Sequence, residues 1–156
     1  MKLLNKILVA TDFSESANQA IESAKKLAHT FQTEILLFHV MPDMDVSQLN
    51  KQMIIEGIEY ELEKNKAELI NAGVKKVETQ WTSGIPFVKI IEEADRQNVN
   101  AILIGSGSNN SIQGTYPAAL GVTAEKVLHK SGKPVWIVKS GSEIAPQNIL
   151  CPIDFS

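Results

Sequence analysis

The stretch AILIGSGSNNSIQGTYPAALGVTAEKV, Ala101 to Val127, decides the fold. It opens as a short apolar run, Ala101 to Ile104, which reads as a buried strand. It continues through Gly, Ser, Asn, Gln and Thr, and closes in the helical spacing Leu120, Ala124, Val127, Leu128. A small-residue loop between a buried strand and a helix start is where α/β proteins hold phosphates. Glycines admit an anion to the backbone, successive N–H groups point at it, and the helix N-terminus adds partial positive charge. Gly105 and Gly107 would equally serve to turn the chain. The flanking sequence has to decide between the two readings.

Toward the N-terminus, Lys6 to Ala10 (KILVA) reads as a fully buried strand, and Ser14 stands where it can N-cap a helix. Glu15 suits the helix dipole. Ala17, Ile21, Ala24, Leu27, Ala28 and Phe31 recur at helical spacing and predict a face packed on a sheet. Glu34 to Val40 (EILLFHV) is nearly continuous in apolar residues, as in a strand covered on both faces. Asp45 and Gln48 suggest a capping box, ahead of a long helix with Ile54, Ile58, Leu62 and Leu69 on one side and Gly73 at its end. Lys76 to Thr82 alternates and predicts an edge strand. Pro86 then opens a helix whose inner face is expected at Val88, Ile91 and Ala94. Beyond the opening stretch, Pro134 to Lys139 (PVWIVK) is a fifth strand. The order β-α-β-α-β-α-β-α-β implies a five-stranded parallel sheet with helices on both faces, a Rossmann-like three-layer sandwich. Ligands of such sheets sit at the carboxyl ends of the strands, where Asp12, Val40 and the Gly105 loop converge.

Composition narrows the class. The chain has 156 residues, enough for one domain with a real core, and 44% hydrophobic against 21% charged residues marks a globular protein. A net charge of -3, with basic residues spread along the chain, gives no nucleic-acid footprint. Cys151 is the one cysteine, so no disulfide framework or thiolate metal cluster forms within the chain. Lys6 and Asp12 break the N-terminal apolar run too early for a signal peptide, and no window reaches the length of a membrane span. A cytoplasmic location is expected.

The end of the chain repeats its beginning. NILCPIDFS (Asn148 to Ser156) matches KILVATDFS (Lys6 to Ser14) at five of nine positions, at an offset of 142 residues. Residues 1–140 then form one domain and 141–147 a linker. Residues 148–156 would be the first strand of a second, truncated copy. Asp12 gains weight as a ligand contact because Asp154 repeats it in the same context.

Other chemistry finds little support. His29, His39 and His129 show no metal-ligand spacing, and no nucleophile elbow or Walker A loop is present. A receiver-type acidic cluster is also missing after the first strand, where Asp12 stands alone. No catalytic residue can be named. Trp81 and Trp136 read as strand packing, with Trp136 a candidate for an interface.

Taken together the chain resembles the universal stress protein family. The resemblance runs through KILVATDFSESANQAIESAKKLA, ILLFHV, GIPFVKIIEEA, AILIGSGS and GVTAEKVLHKSGKPVWIV. It implies a five-stranded parallel α/β sheet, dimerisation through the last strand, frequent tandem copies, and ATP binding in some members. The ATP-binding members carry G-x(2)-G-x(9)-G-[S/T]. By that resemblance Gly105 is the first glycine and Gly121 the third. Here Ser108 replaces the second glycine, twelve residues separate it from Gly121, and Val122 takes the hydroxyl position with Thr123 following. Gly114-Thr115 lies in the inserted part. The implied nucleotide site comprises Ala10, Thr11, Asp12, Val40, Gly105, Ser106, Ser108, Gly121, Val122 and Thr123, for ATP with Mg²⁺. Two function classes stay open: a non-catalytic stress-response domain that binds an adenine nucleotide, and an interaction module that pairs through Val135 to Val138 and has lost the nucleotide. Slow ATP hydrolysis is a third reading without an identifiable base.

Overall fold

β1 (Lys6–Ala10) and β4 (Ala101–Gly105) lie side by side at the centre of a parallel sheet of order β3-β2-β1-β4-β5. A computed structural model describes residues 4–45, 47–107 and 120–141; the expected strand at 148–156, Ser108 and Gly114-Thr115 fall outside them. Among the described residues the chain runs from β1 through α1 (Glu15–Phe31), β2 (Glu34–Met41) and α2 (Gln48–Asn71) to the edge strand β3 (Val77–Ser83). It then returns through α3 (Pro86–Arg96) to β4, and through α4 (Val122–Lys130) to the opposite edge, β5 (Val135–Val138). The reversal of strand order between β1 and β4 opens a crevice at their carboxyl ends.

Two apolar layers fix this arrangement, one on each face of the sheet. Ile7, Val9, Ile35, Leu37 and Leu103 pack with Ile21, Ile58 and Leu62 of α1 and α2. Leu8, Ala10, Leu36, Phe38, Ile102 and Ile104 pack with Ile90 and Ala94 of α3 and Ala124 and Val127 of α4. Alternate residues of each central strand thus serve opposite layers, which is why these strands read as unbroken apolar runs. Each fully buried aliphatic side chain contributes about 1.5–3 kcal/mol.

The amino ends of the strands are tied together by polar side chains. Lys6 Nζ donates to Glu78 (2.6 Å) and to Gln97 (2.9 Å), and Asn100 Oδ1 accepts from the Asn5 and Lys6 amides. Hydrogen bonds from Lys6, then from Lys76, hold the Glu78 carboxyl below the usual carboxylate range.

Helix ends follow local chemistry, with some departures from expectation. Ser14 caps α1 by accepting from Ala17 N at 3.3 Å, and Pro86 opens α3. Gly73, at φ 94°, follows the α2 cap and adopts the left-handed turn that favours glycine. The cap of α2 is Ser47, which accepts from Asn50 N, and not Asp45. Phe31, in the last turn of α1, is exposed. In α3 the buried positions are Ile90, Glu93 and Ala94. Val88 and Ile91 are half-buried, because the helix turns its Ile90–Ala94 ridge onto the sheet.

Candidate functional site

The β1–α1 turn forms one wall of the crevice and is held by its own side chains. Thr11 Oγ1 accepts from Phe13 N and Asp12 Oδ1 accepts from Ser14 N, each at 3.0 Å. Phe13 sits at φ 63°, a left-handed conformation that costs a non-glycine residue energy. His39 braces this turn from β2. Its Nδ1 lies 2.8 Å from the Thr11 carbonyl oxygen, and its ring stacks on Phe13 at 4.8 Å between centroids and 19° between planes. A carbonyl oxygen only accepts, so Nδ1 carries the proton. Burial pushes the His39 pKa below its usual value, against the Thr11 hydrogen bond and the nearby Asp12 charge, which raise it.

The opposite wall is made by glycine. A Cβ on Gly105 would lie 2.6 Å from the Ser16 carbonyl carbon and Oγ and 2.7 Å from Ala17 N, so the start of α1 rests directly on the end of β4. Gly107, at φ 95°, and Gly121 approach each other so closely that a Cβ on either would lie 3.0–3.2 Å from the other's Cα. Gly121 N donates to Ser106 O at 2.8 Å and closes the contact. Gly121 is also the N-cap of α4, and among the described residues no side chain caps the first amides of that helix.

Between these walls lies a cleft of about 380 Å³, within the range of small-molecule sites. Its lining is apolar at Ala10, Phe38, Val40, Ile90 and Ile104, and polar at Thr11, Asp12, Ser16 and Thr123. Of the residues singled out in the sequence, Ala10, Thr11, Asp12, Val40, Gly105, Gly121, Val122 and Thr123 all line it. Ser106 does not. Its amide donates to Val138 O and its carbonyl accepts from Gly121, so its backbone joins β4 to β5 and α4. Gly107, His39, Pro86 and Ile90 also line the cleft. His39 could have been suspected from its place one residue before Val40; the α3 residues enter only through the tertiary fold. Among the described residues no group of three or more His, Cys, Asp or Glu could hold a metal ion. No helix among them is long and apolar enough to cross a membrane.

Fold and cleft together define an α/β protein of the doubly wound parallel type, with a ligand-sized crevice at the switch point of its sheet. The comparisons with known proteins are more specific. Residues 4–139 match the universal stress protein family, and the chain belongs to it. Universal stress protein MJ0577 of Methanocaldococcus jannaschii is 31% identical, over 88% of this chain and 96% of its own length. The solved structure of MJ0577 superimposes with a TM-score of 0.76 at 30% identity, covering 90% of this chain and 99% of that one. A universal stress protein from Archaeoglobus fulgidus, solved in complex with dAMP, shares the fold at 22% identity and a TM-score of 0.65, covering 89% and 100%. A universal stress protein from Archaeoglobus fulgidus DSM 4304 matches at 28% identity and a TM-score of 0.60, over 89% of this chain and 45% of that longer one.

Proposed function

We propose that this chain is a non-catalytic stress-response domain that binds an adenine nucleotide in the cleft at the carboxyl ends of β1, β2 and β4. One observation carries the reading: an apolar lining, the Asp12 carboxylate and the start of α4 face a single cleft of about 380 Å³. The base would lie on Ala10, Val40 and Ile104, and the ribose hydroxyls would donate to Asp12. Phosphate would meet the amides of Val122 and Thr123, where the helix N-terminus favours an anion. The close glycine contact of Gly107 with Gly121 keeps side chains out of that corner. ATP, with Mg²⁺ neutralising its outer phosphates, belongs to this ligand class, and the Archaeoglobus fulgidus relative that holds dAMP supports the adenine class. The nucleotide acts as a bound signal or stabiliser in the cytoplasm; we assign no residue as a general base.

The test is the melting temperature with and without millimolar ATP plus Mg²⁺, and with AMP. A ligand at about a hundred times its dissociation constant stabilises by ~2.7 kcal/mol, a rise of several degrees at this size. No rise with either nucleotide, from protein that releases none on denaturation, would favour the interaction module instead.

That second reading rests on β5, an edge strand with Val135, Trp136 and Ile137 half-buried. We infer pairing through it, with a second copy of the chain or with a tandem domain. Val135→Lys should give monomers in light scattering, and an unchanged dimer would reject this interface. The tandem reading takes 1–140 as one domain, 141–147 as linker and 148–156 as the opening strand of a second copy. It is supported by the NILCPIDFS repeat and by the longer Archaeoglobus fulgidus relative. The intact mass of the protein from its own cells would decide it.

A further inference from the structure

A second groove, of about 310 Å³, runs between α1 and α2 from the β1–α1 turn and shares no lining residue with the cleft. Ile21 and Leu69, both buried, and the half-buried Phe13 give it an apolar part. Charge supplies the rest, with the carboxylates of Glu22, Glu61 and Glu68 set against the ammonium groups of Lys25 and Lys64. Each lysine is already matched on its own helix, Lys25 by Glu22 and Lys64 by Glu61 at 3.7 Å. Among the described residues the Glu68 carboxylate has neither an ion pair nor a hydrogen bond, and the side-chain amide of Asn18 is unpartnered as well. Asn65 Nδ2 donates to Glu61 O at 2.7 Å, which leaves Asn65 Oδ1 as an acceptor.

The group this groove lacks is a cation. An unmatched carboxylate with amide oxygens, over aliphatic and aromatic carbon, suits an alkylammonium ion. The head donates to the oxygens, the methylene stem lies on the apolar lining, and an aromatic ring attracts the positive charge. An anion would have to displace a glutamate from its lysine and would still meet Glu68. Among the described residues no group of three or more His, Cys, Asp or Glu gathers here to hold a metal ion. We propose that the groove between α1 and α2 binds a small alkylammonium ligand, with Glu68 as its counter-charge. The Phe13 ring that lines the groove also stacks on His39, which lines the cleft. Occupancy of the groove is therefore felt at the cleft wall through one ring. The site does not depend on what the cleft binds.

An amide NMR titration of the full chain with butylamine, putrescine and butyrate, at constant ionic strength, tests this. Both amines should give saturable shifts at the Asn18, Glu22, Asn65 and Glu68 amides, and the His39 ring signals should move with the same midpoint. Butyrate should give none. Glu68→Gln, at an exposed position, should weaken both amines several-fold with the melting temperature unchanged. Glu125→Gln, which removes an exposed carboxylate on α4, should bind them as the wild type does. Shifts that stay linear in amine, an equal response to butyrate, or equal affinities in wild type and Glu68→Gln would overturn the site. Saturable groove shifts with unmoved His39 signals would overturn its link to the cleft.

Discussion

The two strand-to-helix turns that wall the cleft are built on opposite principles. The β1–α1 turn, Thr11 to Ser14, is short and held by side chains: Thr11 and Asp12 cap amides within it, Ser14 caps the helix, and His39 braces it from β2. At the described ends of the β4–α4 connection, Gly121 N donates to Ser106 O and Gly107 meets Gly121. The first turn spends its polar groups on itself and presents a fixed carboxylate. The second, among the described residues, leaves helix amides uncapped at the cleft. Under the proposed function, the first wall would orient a ligand and the second would donate to it.

Breaking the glycine wall should have the largest effect. Gly105→Ala places a methyl group 2.6 Å from backbone of α1, which cannot give way as a flexible side chain would. Overpacking of this kind costs about 2–3 kcal/mol, so the melting temperature should fall by roughly 5–10 °C. A fall of less than about 2 °C would mean that α1 does not rest on β4 as described.

The side-chain wall should break more gently. Ser14→Ala removes the α1 cap and should cost about 1 kcal/mol, or roughly 2–4 °C. The matching truncation on the other side, Thr123→Ala, should stay within about 0.5 kcal/mol, because no described side chain caps α4. Equal losses from the two variants, read by thermal or urea unfolding, would erase the contrast between the turns.

The contrast also explains what could be read from sequence. The succession of elements and the two covered sheet faces are legible in uninterrupted runs such as ILVA and ILLF, because a strand buried on both faces leaves an unmistakable pattern, whereas the strand order β3-β2-β1-β4-β5 comes from the fold. The family's glycines were recognisable too, but not their work. Gly105 reads locally as a phosphate contact or a turn, and its structural need is the α1 backbone pressing on it, a contact between segments far apart in the chain. Ser106 belongs to the site by the family resemblance, while in the fold its amide and carbonyl join β5 and α4. Ile90 and Pro86 were out of reach, since nothing local in a helix states which strand ends it will cover. The Ser47 cap was missed because Asp45 and Gln48 offered a competing pattern two residues earlier.

The smallest effect, and the sharpest test of the bracing, concerns His39. Burial lowers its pKa in the folded protein below the usual value of 6.5. The unfolded chain therefore binds the proton more readily, and stability falls as pH drops below about 6.5 toward the folded value. Above that range the ring is neutral in both states, in the fold it donates from Nδ1 to Thr11 O, and the contribution is complete. The lowered carboxyls of Glu63 and Glu78 titrate below 4.5, outside this window. Melting temperature should thus decline between pH 7 and pH 5.5 in the wild-type chain, and His39→Gln, whose amide can still donate to Thr11, should flatten that decline. If the nucleotide reading holds, affinity for AMP should follow the same profile, since Asp12 adjoins the carbonyl that His39 holds. A decline of equal slope in wild type and His39→Gln would place the titrating group elsewhere and leave the turn held by Thr11, Asp12 and Ser14 alone.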